Sequence, residues 1–216
     1  MAEKYIENMG KIKFGRFYNK NNKKITDENT SPIVNCKLLK VANEKEISSK
    51  ISNDYVYSLF KKRKDYYIYE CNPELLISHY RYDVYVKYFY VKNYIEGTNY
   101  DLAKEIYLAH IKAFNNFAEP DGSKKGKEKF IHEFNKLIES IKNNGFSKTI
   151  VPISTTGIII DGAHRLAICL YLKIKIKYVV FDILDGKYDM LFFKDRGFDE
   201  KYISVINNET EKMRWL

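Results

Sequence analysis

Ile158-Ile-Ile-Asp-Gly-Ala-His-Arg-Leu-Ala-Ile168 is the stretch whose reading decides the fold of this chain. A short apolar run of strand type stops at Asp161 and Gly162, and an apolar, helix-like run then continues to about Leu172. That order puts Gly162 at a strand-to-helix turn. The first backbone N–H groups of a helix have no intrahelical partner, and the helix dipole favours an anion beside them. His164 and Arg165 add an imidazole and a planar guanidinium fork at the same point. The turn therefore reads as a compact site for phosphate or another oxyanion.

Working outward from it, Thr149–Ile153 and Gly157–Ile160 read as short strands around a turn at Ser154-Thr-Thr-Gly157, and Lys175–Phe181 as a strand entering a core. Upstream, Phe130, Phe134, Leu137, Ile138 and Ile141 form one apolar stripe and predict a helix over Lys127–Asn143. Gly145 is expected to close that helix as a left-handed cap. Tyr100–Phe117 carries Leu102, Ile106, Ala109, Ala113 and Phe117 near helical spacing, with Asn99 as its cap. The aromatic-rich stretch from His79 fits strand and helix patterns alike. Val84, Lys87, Tyr88 and Val91 share a helical face and favour a helix from Asp83. Its tyrosines, Tyr80–Tyr94, read as core rather than a base-stacking platform. Asp65–Glu70 reads as a strand, and Asn72-Pro-Glu-Leu-Leu76 as a turn into a short helix. A strand is expected within Pro32–Val41, weak helix over Glu44–Lys64, and a mobile arm or small hairpin over the first 31 residues. Downstream, Phe192-Phe193 and a helix after Asp199 read as a tail packed on the core. The fold class is α+β, a small mixed sheet flanked by helices.

At 216 residues the chain is long enough for one domain with a real core. No apolar run approaches the roughly 20 residues that span a bilayer. Met1–Asn8 contains no apolar h-region, so a cytoplasmic location is expected. Cys36, Cys71 and Cys169 are widely spaced and form no CxxC pair, which suits a reducing compartment and argues against a zinc site. The net charge of +9 comes from lysines scattered along a chain also rich in Asn, Ile and Tyr. It reads as background composition more than as a dedicated nucleic-acid surface, and a basic field attracts anionic small molecules equally well.

The order helix, strand, turn, Asp-Gly-Ala-His-Arg-Leu-Ala, helix, strand resembles the ParB/sulfiredoxin superfamily. Leu137-Ile-Glu-Ser-Ile-Lys-Asn-Asn-Gly145 is similar to its LxxSIxxxG helix, Val151-Pro152-Ile153 to its proline-bearing strand, and Asp161–Ala167 to its DGxHRxxA turn. Tyr66–Glu70 and Pro73–Leu76 fit its opening strand and PxxL turn. The match is dense over about residues 128–182. It implies an N-terminal extension over 1–64, a core over 65–185 with a helical insertion at about 84–127, and a C-terminal tail over 186–216. Arg81-Tyr82-Asp83 with Lys87-Tyr88, and His110-Ile111 with Phe117 and Glu119, further resemble segments of proteins associated with bacterial surface-polysaccharide loci.

Two departures narrow what the resemblance implies. Sulfiredoxins carry a cysteine where this chain has Ala163, which argues against that chemistry. ParB proteins continue into a helix-turn-helix domain, for which 186–216 is too short. What remains is a stand-alone catalytic or ligand-binding version, and the resemblance to members of the free-serine-kinase type implies a nucleotide-dependent phosphotransferase, a small-molecule kinase acting on a hydroxyl-bearing metabolite with ATP or another nucleotide and Mg2+. The alternative is a ParB-like nucleotide- or DNA-binding protein or nuclease.

In the kinase reading Gly162, Ala163, His164 and Arg165 hold the phosphates, with Arg81 and Thr155 as further contacts. Asp161 is a base, a magnesium ligand or the residue that fixes Arg165. Glu119 leads as the general base, with Asp83 the other carboxylate, and Arg81 or Lys87 neutralises charge on the moving phosphoryl group. Against this, Asp83 and Lys87 have the i,i+4 spacing of an ordinary solvated salt bridge. Thr155 sits in what reads as a plain β-turn, and His110 reads as a satisfied, half-buried histidine.

Overall fold

A computed structural model describes residues 31–51, 63–146, 149–183 and 185–211. Among them it contains seven α-helices and a four-stranded mixed sheet, an α+β architecture. The arm or hairpin expected at the N-terminus, and the end of the helix expected over Glu44–Lys64, lie outside the described residues.

The strands are β1 (Lys37–Ala42), β2 (Tyr66–Cys71), β3 (Val151–Ser154) and β4 (Ile176–Phe181), arranged β1-β2-β4-β3. β2 runs antiparallel to both β1 and β4, and β3 runs parallel to β4. Side chains of a strand point alternately to opposite faces, and β2 and β4 use both. Tyr66, Ile68, Val179 and Phe181 join Ile47 and Ile51 in a small core on one face. Tyr69, Cys71, Ile176, Tyr178 and Val180 join the main core on the other. Pro152 has no N–H to give a ladder, and it lies in the edge strand β3. β1 is the other edge. Five of its six residues are exposed, and its register slips between Leu38 and Lys40. The N-terminal segment therefore supplies the first strand of the common sheet.

The helices are α1 (Glu44–Lys50), α2 (Tyr82–Glu96), α3 (Tyr100–Asn115), α4 (Lys127–Asn144), α5 (Ala163–Leu172), α6 (Met190–Lys194) and α7 (Glu200–Glu211), with a 3-10 turn at Pro73–Leu76. α5 links the parallel pair β3 and β4 and is buried along most of its length, Cys169 included. α2 packs against α5 and α3. Nine of its fifteen residues are buried, so it is a central helix of the main core. The helix reading of this aromatic stretch holds, and Tyr82 and Tyr90 are core residues.

Several local expectations are corrected. Gly157–Ile160 is not a strand: it returns antiparallel along β3 with one bridge, Ile153 to Ile159. A tight turn, in which Gly157 N–H donates to Ser154 C=O at 3.0 Å, brings it back, and the chain leaves β3 at Asp161 and Gly162 to enter the next helix before the pairing can extend. Asn99 has φ 47°, and its side chain makes no capping bond to α3. Gly145 has positive φ but extended ψ, −175°, so it is not a left-handed cap. On α3 the buried stripe is Ala103, Ile106, Tyr107, His110 and Ile111, while Leu102 is exposed. No described helix is long and apolar enough to cross a membrane.

Candidate functional site

Ile160 N–H donates to Pro152 C=O at 2.9 Å, which carries the returning chain to Asp161 and Gly162 beside the first residue of β3. Gly162 has φ +93°, and a Cβ built on it would lie 2.9 Å from Val151 Cγ2. Only glycine meets both the backbone and the space requirement there. Gly162→Ala is expected to destabilise the protein by about 1–3 kcal/mol through the strained backbone. Thermal denaturation reads this directly, and an unchanged midpoint would refute the close approach. α5 then starts at Ala163 with no side-chain cap and no acidic residue in its first turn.

Above this turn lies a buried ion cluster at the start of α2. Arg81 Nε and Nη2 donate to Asp83 Oδ1 and Oδ2, both at 2.9 Å. Lys87 Nζ donates to Asp83 Oδ2 at 2.7 Å. The expected solvated Asp83–Lys87 pair is corrected, since Asp83 is 2% exposed and both partners are buried. The i,i+4 spacing is that of a surface pair, but α2 is covered on nearly every side. Burial would raise the Asp83 carboxyl, yet Arg81 and Lys87 overcome it and hold the group well below the usual carboxylate range. Burial lowers the Lys87 ammonium, with Asp83 opposing.

Arg81 also reaches forward. Its Nη1 donates to the carbonyl of Ile159, two residues before Asp161. The guanidinium lies 5.1 Å from the ring centroid of Tyr188. Tyr188 is fixed by its backbone: its N–H donates to Tyr80 C=O at 2.8 Å, and its C=O accepts from Tyr82 N–H at 2.9 Å. One cluster thus ties the start of α2, the C-terminal segment and the chain entering the 161–165 turn together.

Glu119 lies in the loop between α3 and α4. After α3 the chain turns through two consecutive non-glycine residues of positive φ, Asn116 (51°) and Phe117 (62°). Such conformations persist only where surrounding contacts hold them. A narrow loop then follows, closed by Glu119 N–H to Lys124 C=O and Gly126 N–H to Phe117 C=O, both 2.9 Å. Burial raises the Glu119 carboxyl; Lys124 and Lys87 oppose the shift, while Asp121 and Asp161 add to it. Glu119 is therefore close enough to Lys87 and Asp161 to feel both charges, although the three come from different elements.

His164 is held edge-on to Phe134, with ring centroids 4.5 Å apart, and its Nε2 lies 3.0 Å from the Tyr107 hydroxyl. Burial, then Lys87 and Lys124, push its pKa well below the ordinary histidine value, so the ring is neutral at neutral pH. His110 is also corrected. It is fully buried, and neither ring nitrogen has a hydrogen-bond partner among the described residues. Burial and nearby Lys87 keep it neutral as well. Phe193 packs on it at 4.7 Å between centroids.

Of the residues singled out from sequence, Arg81, Asp83 and Lys87 are in direct contact, while Glu119 feels the charges of Lys87 and Asp161, and His164 those of Lys87 and Asp83. Gly162 and Ala163 form the buried floor of the turn, and Arg165 is half-buried one residue beyond His164. Thr155 stays in the β-turn at the end of β3. Its neighbour Thr156 donates to Asp185 Oδ1 at 2.7 Å. Tyr107, Tyr188 and Lys124 were not singled out. Tyr107 lay one residue off the apolar stripe read for α3, and Tyr188 and Lys124 carry no spacing signal. No group of three or more His, Cys, Asp or Glu side chains able to hold a metal occurs among the described residues. No protein-family model, curated protein or solved structure matches this chain.

Proposed function

We propose that the protein is a nucleotide-dependent phosphotransferase that phosphorylates a small hydroxyl-bearing metabolite, with the Asp161–Arg165 turn as its phosphate site. What supports this reading is a helix N-terminus whose N-cap residue, Gly162, has no side chain to satisfy its N–H groups, flanked by His164 and Arg165, together with a half-buried carboxylate, Glu119, that feels the charge of Asp161 in the same turn. Phosphoryl transfer needs little more than positioning, charge neutralisation and a group to take the acceptor proton. The resemblance of the 110–119 and 81–88 segments to surface-polysaccharide-locus proteins makes a sugar-like or polyol acceptor the class to screen.

In this reading the backbone amides of Ala163, His164 and Arg165 and the Arg165 guanidinium hold the phosphate oxygens. Glu119 takes the proton of the acceptor hydroxyl. The new bond joins that oxygen to the terminal phosphorus, and the nucleoside diphosphate leaves with the electrons of the broken P–O bond. Asp83 has both oxygens engaged and is held ionised, which suits a positioning role better than proton transfer. Arg81 acts through Ile159 to set the height of the turn.

Mg2+ is usually held by one or two carboxylates plus substrate phosphates, not by a complete protein cage. Asp161, half-buried at the start of the turn, would supply the carboxylate of that donor set together with the substrate phosphates, leaving Glu119 free to take the acceptor proton. Bound there, the ion would neutralise charge on the phosphates.

Scanning fluorimetry with ATP, ADP, CTP and GTP, each with and without magnesium, tests the reading, because a ligand that binds only the native state raises the melting temperature. A magnesium-dependent rise with at least one nucleotide is expected, lost in Arg165→Ala without a change in the unliganded midpoint. No shift with any nucleotide would sink the proposal. DNA binding that weakens steeply with salt in place of a nucleotide shift would favour a basic nucleic-acid binder.

A further inference from the structure

Tyr107 lies on the inner face of α3 and is 1% exposed. Its ring packs against Phe134 at 5.1 Å and stands edge-on to His164 at 5.9 Å between centroids. The hydroxyl has one hydrogen-bond partner among the described residues, Nε2 of His164 at 3.0 Å. A phenol has one proton to give, and a buried O–H is rarely left without an acceptor.

Two arrangements satisfy the 3.0 Å contact, and they differ in what is left over. If Nε2 carried the proton, it would donate to the phenolic oxygen and the Tyr107 O–H would have no acceptor in the core. If Nε2 is the acceptor, the tyrosine proton is used and the imidazole proton moves to Nδ1. Which ring nitrogen of a neutral histidine is protonated is set by the bond that the other one makes. His164 is half-buried, and loss of solvent, then the charges of Lys87 and Lys124, keep it neutral. Tyr107 is likewise kept as the neutral phenol, by burial and then by the nearby Glu119 carboxylate.

We propose that Tyr107 is a positioning residue that donates to Nε2 of His164 and fixes the imidazole as its Nδ1–H tautomer, making His164 an uncharged hydrogen-bond donor for a phosphate oxygen. The role for the oxyanion rests on the phosphate-turn reading, whereas the tautomer stands on the Tyr107–His164 contact alone. An uncharged donor serves such a site well. It bonds the phosphate without adding a third cation to a core that already holds Arg81 and Lys87.

Long-range proton–nitrogen correlation spectra of the 15N-labelled protein report the tautomer directly. The chain has four histidines, and His164→Asn identifies the His164 signals by their loss. The expected spectrum shows Nδ1 protonated and Nε2 bare across neutral pH. In Tyr107→Phe, which keeps the ring packing, the same signals should move towards Nε2–H, and affinity for the magnesium nucleotide should fall by about tenfold, the loss of one hydrogen bond to a charged group. A wild-type spectrum with the proton on Nε2, or an unchanged tautomer in Tyr107→Phe, overturns the proposal whatever the nucleotide does. The Nδ1–H spectrum in a protein that binds no nucleotide upholds the tautomer, overturns the phosphate-donor role, and removes the phosphotransferase reading with it.

Discussion

Replacing Asp83 with alanine should cost about 3–5 kcal/mol of stability, because it leaves Arg81 and Lys87 buried beside each other with no counter-charge. For a chain of this size that corresponds to a melting-temperature fall on the order of 10 °C. Lys87→Ala should cost clearly less, since the bidentate Arg81–Asp83 pair survives and is neutral as a unit. The ordering matters more than the absolute values, and urea denaturation of the two variants measures it. If Asp83→Ala cost no more than Lys87→Ala, the carboxylate would not be the hub of the cluster.

The pH dependence follows from the sign of the Asp83 shift. Its carboxyl is held below its unfolded value in the native state, so its contribution to stability is fully present above that unfolded value, about pH 4. It is lost as the pH falls further, through the native value. The difference between wild type and Asp83→Ala should therefore be constant near neutrality and shrink in acid.

Glu119→Gln should lower turnover by about 10²- to 10⁴-fold, the usual contribution of a positioned general base, without weakening the fold. The direction of its shift is opposite to that of Asp83. Burial raises the Glu119 carboxyl, so its favourable contribution to stability is fully present below the unfolded value and is lost as the pH rises through the native one. At neutral pH the ionised carboxylate opposes folding. The Glu119→Gln variant should therefore melt at or above the wild-type temperature near pH 7, with the gap closing towards about pH 4. Activity lost together with stability would point to a structural role for Glu119. Activity retained would move the base elsewhere, and Asp161 is then the next carboxylate to replace. In the active wild type, kcat/KM should fall in acid with an inflection above the ordinary glutamate value.

The local elements of this chain were legible because their causes are local. The stripe from Phe130 to Ile141 specifies α4, and the buried residues Phe130, Phe134, Ile138 and Ile141 are those that the spacing names. The strands at Tyr66–Cys71 and Ile176–Phe181 follow from β-branched and aromatic runs. The turn into α5 follows from a glycine placed between an apolar run and a helix. Where the reading slipped, a long-range contact had overridden a short-range pattern. Ile158–Ile160 has strand composition and folds back on β3 with one bridge, but the chain turns away at Asp161 and Gly162 into α5 before the pairing can extend. The face of α3 was read one residue off, because tyrosine and histidine count as polar in a pattern yet Tyr107 and His110 are the side chains that go inside.

By itself, then, the sequence determined the α+β composition, most of the helices and strands, and the chemistry available at Asp161–Arg165. Each depends on residues within a turn or two of one another. Tertiary structure alone decided that an i,i+4 pair of surface type, Asp83 and Lys87, is buried with Arg81. It also decided that Arg81 holds the carbonyl of Ile159 and that Glu119 comes within the field of Asp161. It decided that Tyr107 meets His164, 57 positions away. Such contacts depend on how α2, α3 and α5 stack over the sheet, and the energy of a charge or a hydrogen bond depends on the solvent that stacking excludes.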